Sequence, residues 1–366
     1  MFERMEAPAE NEGAISSDLD PVAVWTDGRL GLPGTKTASG LILTGDRWTI
    51  ACVVDARHAG ADAGEILGVG RLGVPVLPDL IAARGAGARS VVIGVNSMDA
   101  YTVVPARLKG FVVEAVGHRL NVICSTHARL NDDPELVRLA AAAGVELVDV
   151  RGDGPRETLS ADLSVDATVL LTTGTDCAVG KMTTALAVHR EALSQGIRSA
   201  FLATGQIAAM CGADAVVQVD RIFADFITGA VQHAVHRLAG AGHELVVVEG
   251  QASTLHRVYG GNAVNLLYGA APDAIIMCHD TDRQVRAMFP GLPVPPVTDE
   301  LQTIADLGRR IGIPAALAGF SVFGRKPFHE GDQHAVPVVD TRDPGAAAVL
   351  LDSVLRLTRH SERDRR

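Results

Sequence analysis

The chemistry most readily read from this chain lies in Gly174-Thr175-Asp176-Cys177-Ala178-Val179-Gly180-Lys181-Met182-Thr183-Thr184. An apolar run, Ala167 to Leu171, precedes this stretch, and a helical pattern follows it to about Leu193. A glycine-rich turn between strand and helix leaves the first backbone N–H groups of the helix without intrahelical partners. The helix dipole adds partial positive charge there, and Lys181 adds a full one. A diphosphate is the expected occupant, held by Gly174 through Thr183.

The stretch departs from the usual phosphate-loop pattern, G-x-x-x-x-G-K-[ST]. Five residues rather than four separate Gly174 from Gly180, and Met182 stands where a hydroxyl would hold Mg²⁺. Thr183 comes one position late, which on a helix rotates it by about 100°. Phosphate binding is therefore expected without Mg-ATP hydrolysis being implied. No metal site is expected, because none of Cys52, Cys124, Cys177, Cys211 and Cys278 forms a C-x-x-C pair.

In open α/β sheets ligands sit beyond the carboxyl ends of the strands. The residues there in the second half are Gly205-Gln206, Glu249-Gly250-Gln251 and His279-Asp280. Glu249, after an apolar run, is the acidic residue expected to face the loop, to hold a metal, to orient a water or to act as a base. His256, beside Arg257 and Tyr259, is a candidate proton shuttle. Asp220 and Asp225 lie on a segment expected to be helical, five residues apart and off one face. Cys177 sits where a helix start stabilises a thiolate, although small-residue packing explains it more simply.

Gly68-Val69-Gly70-Arg71-Leu72-Gly73 matches the dinucleotide fingerprint G-x-G-x-x-G in the wrong context. A helical pattern precedes it, and the prolines of Val74-Pro75-Val76-Leu77-Pro78 forbid a helix after it. A plain helix-to-strand turn is expected.

The elements that must position these residues read as two α/β halves. Strand patterns at 48–55, 90–95, 121–124 and 145–150 alternate with helical ones such as 105–116 and 134–143. Further strands fall at 199–204, 244–249, 274–279 and 315–320. Such alternation predicts two doubly wound, mostly parallel sheets. The expected division is a disordered start (1–20), a first domain (21–150), a linker (151–165), a second domain (166–358) and a basic tail (359–366).

A net charge of −10 argues against nucleic acid or an anionic membrane as partner. The cysteine pattern is that of a reducing compartment. The start is acidic and lacks an apolar signal segment, and no apolar run approaches membrane-spanning length, so a cytoplasmic location is expected. A homo-oligomer is expected, with the first domain capping the site or supplying a dimer surface.

The loop stretch, Ala203-Thr204-Gly205-Gln206, Asp220 with Asp225-Phe226, Glu249-Gly250-Gln251 and Cys278-His279, in this order, resemble a family once described only as a domain of unknown function. That resemblance covers about 40–350. It implies a Rossmann-like N-terminal domain and a P-loop NTPase-like C-terminal one. It also implies D-glutamate N-acetyltransferase activity with acetyl-CoA as co-substrate, its diphosphate on the loop. On that reading Glu249, His256 and His279 are catalytic, and Gln206, Asp220, Asp225, Gln251 and Arg257 face an amino-acid substrate. Arg257 or Arg283 would grip the acceptor carboxylate. The family pattern is altered at Ile207-Ala208-Ala209, Ala252-Ser253 and Arg257, so the cofactor side is kept and the acceptor side changed. The loop and the strand-end Glu-Gly pair also resemble dethiobiotin synthetase. This gives the alternative of a Mg-ATP-dependent kinase or ligase, with Glu249 and Asp176 on the metal.

Overall fold

A computed structural model of the chain describes residues 19–32, 34–95, 104–126, 128–150, 164–329 and 334–364. The expected disordered start lies outside them but for its last two residues, and so does the expected linker. The chain divides into two compact units: Met1–Gly152 with Ala209–Gly212, and Asp153–Ala208 with Ala213–Arg366.

The first unit holds strands β1 (Val22–Trp25), β2 (Ile50–Val54), β3 (Val76–Leu77), β4 (Ser90–Ile93), β5 (Asn121–Cys124) and β6 (Leu147–Asp149). They form one sheet in the order β3-β2-β1-β4-β5-β6, parallel at every pairing. Helices α1 (Lys36–Thr44), α2 (Ala63–Ile66), α3 (Leu80–Gly85), α4 (Ala106–Gly117) and α5 (Pro134–Ala143) connect the strands. The expected doubly wound architecture is what forms. Helix α5 shows why its bounds were legible. Asp133 caps it by accepting from the N–H groups of Glu135 and Leu136, Pro134 opens it, and Gly144 closes it at φ +67°.

The fingerprint-like stretch at 68–73 has an internal anion. The carboxylate of Asp62 accepts from the amides of Gly64, Leu72 and Gly73 at 2.8–2.9 Å. Donors that could have faced a phosphate are consumed by the chain's own side chain, consistent with a simple turn.

The second unit begins with β7 (Thr168–Gly174) and α6 (Lys181–Ser194). It continues through β8 (Ser199–Ala203), α7 (Gln206–Ala209), β9 (Ala215–Val216), α8 (Ala224–Gly240), β10 (Leu245–Val248), α9 (Gly260–Ala270) and β11 (Ala274–Asp280). A short antiparallel hairpin, β12 (Val285–Arg286) with β13 (Phe289–Pro293), follows. Then come α10 (Val297–Ile311), β14 (Ala316–Phe323), β15 (Val338–Val339) and α11 (Ala346–Asp364). Helix α11 runs on past the expected domain end at 358, so the stretch anticipated as a tail is helical as far as Asp364.

The main sheet has the order β15-β14-β11-β7-β10-β8-β9 and is parallel throughout. β7 therefore sits in the middle, flanked by β10 and β11. Its apolar residues Val169, Leu170 and Leu171 are buried, each contributing about 1.5–3 kcal/mol by leaving water. That burial fixes the strand whose end starts the loop. Glu249 directly follows β10 and His279 is the penultimate residue of β11, so the central strand brings all three predicted stretches to one edge. Their approach is close: a Cβ on Gly250 would lie 1.6 Å from the Thr172 carbonyl oxygen.

Candidate functional site

The loop between β7 and α6 is built so that its carbonyls face cations. Arg286 Nη1 donates to Thr175 O at 3.0 Å, and Lys181 Nζ to Asp176 O at 2.5 Å. Arg283 donates through Nη1 to Cys177 O at 2.5 Å and through Nη2 to Ala178 O at 3.2 Å. A peptide unit is planar and trans, so the carbonyl of one residue and the N–H of the next point in opposite directions. Turning four successive carbonyls onto cations turns the N–H groups of Asp176, Cys177, Ala178 and Val179 away from them. Among the described residues, the amides of Asp176, Ala178, Val179 and Gly180 find no acceptor.

Glycine is required where the turn tightens. A Cβ on Gly174 would sit 2.8 Å from Val179 Cγ2 and 2.9 Å from Cys278 O. Gly180 adopts φ +93° as it opens α6, a conformation that costs other residues dearly. The Lys181 stem runs close to Gly174 and Gly250, with its Cδ 3.4 and 3.2 Å from where their Cβ atoms would be.

Asp176 is the buried hub behind the loop. Its Oδ2 accepts from the Ala287 amide at 2.7 Å and from Arg283 Nη1 at 3.3 Å. Its Oδ1 lies 3.6 Å from both Arg286 Nη1 and His256 Nε2. Among the described residues, neither Oδ1 nor His256 Nε2 has a hydrogen-bond partner within normal reach.

His256 is a buried ring rather than an exposed loop side chain. Its Nδ1 accepts from the amides of Val258 and Tyr259, both at 3.2 Å. A neutral imidazole has one protonated nitrogen, so the proton sits on Nε2, facing Asp176. Burial, then the Arg286 charge, hold its pKa below the ordinary value. The ring is thus a neutral donor, and a base role at Nε2 does not suit this tautomer. Because the folded pKa is depressed, the unfolded chain binds the proton more readily. Stability from this group is complete above the ordinary value of about 6.5 and is lost as pH falls below it. Melting curves between pH 7.5 and 5 should show this slope in the wild type and a shallower one in His256→Asn.

The ligating atoms of Asp176, Cys177 and His256 lie within 4.8 Å of one another, a spacing a metal could use. The surroundings do not suit one. A ligating histidine normally donates its other ring nitrogen, whereas here that nitrogen accepts two amides. Arg283 and Arg286 already pair with the carboxylate. The electrostatics favour an anion in front of the loop, not a cation behind it.

The other predicted residues are placed as follows. Glu249 is buried at the end of β10, and its Oε2 accepts from the amides of Thr204 and Gly205 at 2.9 and 3.0 Å. Gln251 Nε2 donates to Thr204 Oγ1 at 3.0 Å, so the ends of β8 and β10 form one polar network, with half-buried Gln206 opening α7. His279 Nδ1 lies 2.9 Å from Thr175 Oγ1, beside the loop. Met182 and Thr183 are half-buried in the first turn of α6.

Asp225 is exposed in the first turn of α8, and Asp220 is exposed before that helix begins. The two therefore do not share a helix, contrary to expectation, because α8 starts only at Ala224. Arg257 is exposed. Arg283, expected to grip a substrate, grips the loop instead.

Two groups escaped the sequence reading. Arg286 is buried on the hairpin. Glu300, in the first turn of α10, is fully buried and accepts from Ser253 Oγ, Thr254 N, Thr254 Oγ1 and Leu255 N. An acidic residue early in a helix reads as ordinary dipole compensation, and nothing in its neighbours signals four loop donors.

Comparison with known proteins can now be set beside this geometry. Residues 152–342 match the P-loop domain of a family described as a domain of unknown function, DUF1611, and residues 56–153 match that family's Rossmann-like N-terminal domain. The chain belongs to the DUF1611 family. A DUF1611 protein of Anabaena variabilis ATCC 29413 has a crystal structure similar to this fold, with a TM-score of 0.81 and 26% identity over 92% of this chain and 99% of that one. Two relatives named D-glutamate N-acetyltransferase also match. One, from Tritonibacter scottomollicae, is 33% identical over 69% of this chain and 74% of its own length. The other, from a Pseudoalteromonas species, is 31% identical over 54% and 58%. The DUF1611 P-loop match spans the loop, Glu249, His256 and His279. Among the described residues, no helix of this member is long and apolar enough to cross a membrane.

Proposed function

We propose that this chain is an N-acetyltransferase that moves an acetyl group from acetyl-CoA to the amine of an amino acid, D-glutamate or a related acid. The names of the two relatives support the reaction class. The observation that carries the donor is the loop itself: four carbonyls are drawn onto cations, and the amides they leave behind face the other way. Such an array suits a diphosphate and needs no metal. Met182 after the lysine is then no defect.

On this reading the amides of Asp176, Ala178, Val179 and Gly180 and the Lys181 ammonium hold the diphosphate. The acceptor amine attacks the thioester carbonyl, and the CoA thiolate leaves and is protonated. The amine proton passes to Glu249 or His279, the titratable groups at the ends of the two strands that flank β7, since His256 is a donor in its resting tautomer. Proton transfer of this kind contributes about 10²–10⁴-fold. Gln206 and Gln251 line the acceptor side.

Calorimetry with CoA, acetyl-CoA, ADP and ATP, each with and without Mg²⁺, tests the donor. CoA should bind without Mg²⁺, and D-glutamate with acetyl-CoA should yield the N-acetyl product and free thiol. Tight Mg-ATP binding with no response to CoA would sink this reading in favour of a kinase or ligase.

A further inference from the structure

We infer that Arg286 is a positioning residue that sets the outward aim of the loop amides, and that Glu300 holds Leu255, the residue on whose carbonyl Arg286 is braced. The inference rests on the diphosphate reading above.

The Arg286 guanidinium is 3% exposed. Its hydrogen bonds go to two neutral carbonyls, Nη1 to Thr175 O at 3.0 Å and Nη2 to Leu255 O at 2.8 Å. The guanidinium is a planar fork, so two acceptors on one fork fix each other's place. One of these acceptors is anchored independently. Glu300 Oε2 accepts from Leu255 N at 3.2 Å and Ser253 Oγ at 2.8 Å, and its Oε1 from Thr254 N at 2.5 Å and Thr254 Oγ1 at 2.8 Å. Glu300 is 0% exposed, so these bonds are shielded from water.

A continuous chain of polar contacts therefore runs from Glu300 through Leu255 and Arg286 to Thr175. Holding Thr175 O inward turns the Asp176 N–H outward through the same planar peptide. Neither Arg286 nor Glu300 belongs to the outward amide array. Each acts through the backbone it grips. A lysine at 286 keeps the charge and loses the fork, which separates aim from electrostatics.

The test compares wild type, Arg286→Lys and Glu300→Gln in the full chain. Acetyl-CoA and acetyl-pantetheine serve as donors, the second having the same thioester and no diphosphate. Arg286→Lys should raise KM for acetyl-CoA about tenfold at unchanged kcat, by weakening charge-assisted contacts to the diphosphate. Glu300→Gln should do the same to a smaller extent. Turnover of acetyl-pantetheine at fixed donor concentration should stay within about twofold of wild type in both, since uniform binding to the diphosphate is what is lost. Titration with inorganic pyrophosphate should weaken in parallel with the KM change.

Equal losses on both thioesters would reduce the two residues to general structure and overturn the inference. So would an unchanged pyrophosphate affinity in both variants. A wild type that binds pyrophosphate but turns over neither thioester would instead defeat the acetyltransferase reading, with the pyrophosphate comparison still deciding the inference. If Arg286→Lys does not fold, Glu300→Gln and Thr254→Val, which removes the Thr254 Oγ1 donor to Glu300, carry the same comparison.

Discussion

Lys181→Met should lower kcat/KM for acetyl-CoA by about 10²-fold, the loss expected when a charged hydrogen bond to a ligand is removed. CoA affinity should fall to a similar degree, with little change in Tm. Methionine is the instructive replacement because the lysine stem fills space between Gly174 and Gly250. A methionine keeps most of that packing and deletes the ammonium. Within the fold the substitution gives up the hydrogen bond to Asp176 O, which is worth about 1 kcal/mol net. Isothermal titration with CoA and steady-state kinetics at saturating acceptor measure the two quantities. A variant that binds CoA as well as wild type would remove the loop from donor binding.

Asp176→Ala should destabilise the second unit by about 3–5 kcal/mol, the range for breaking a buried ion pair by deleting one partner. The carboxylate is fully buried. Its removal leaves the Arg286 guanidinium enclosed with only neutral carbonyls, takes a partner from Arg283, and leaves the Ala287 amide unmet. Urea unfolding should show a lower midpoint with an unchanged slope. Asp176→Asn is the control: it can still accept from Ala287 and should retain part of the loss. An alanine variant as stable as wild type would show that the carboxylate is not the hub of this cluster.

The parts legible in the sequence are those governed by local rules. The loop stretch, the strand ends at Glu249 and His279, and helix α5 each announce themselves within about a dozen residues. The doubly wound class followed from strand and helix patterns taking turns. Strand β1 (Val22–Trp25) was missed although it lies in the middle of its sheet, because it directly follows the polar, acidic start and lacks a preceding helical pattern to set it off as part of the alternation. Asp220 and Asp225 were placed on one helix because nothing local marks Ala224 as its start. Arg283 and Arg286 were misread or missed for a different reason. Their partners on the loop are backbone carbonyls 105 to 111 positions earlier, and a carbonyl has no letter in a sequence. His256 was found as a residue, but its tautomer depends on two amides that only the fold brings to Nδ1.

The assembly of the cradle from distant pieces bears on how far the motif can travel. Gly174 to Thr184 supplies glycines and a lysine, but Arg283, just after β11, and Arg286, on the hairpin that follows, supply the guanidinium groups that turn three of the four loop carbonyls. Grafting those eleven residues onto a foreign strand–turn–helix would transfer the letters without the grip. The transplanted peptide units could rotate either way, and the ordering cost now met when this protein folds would fall on the incoming ligand. The portable unit is the loop together with the segment from Arg283 through the hairpin.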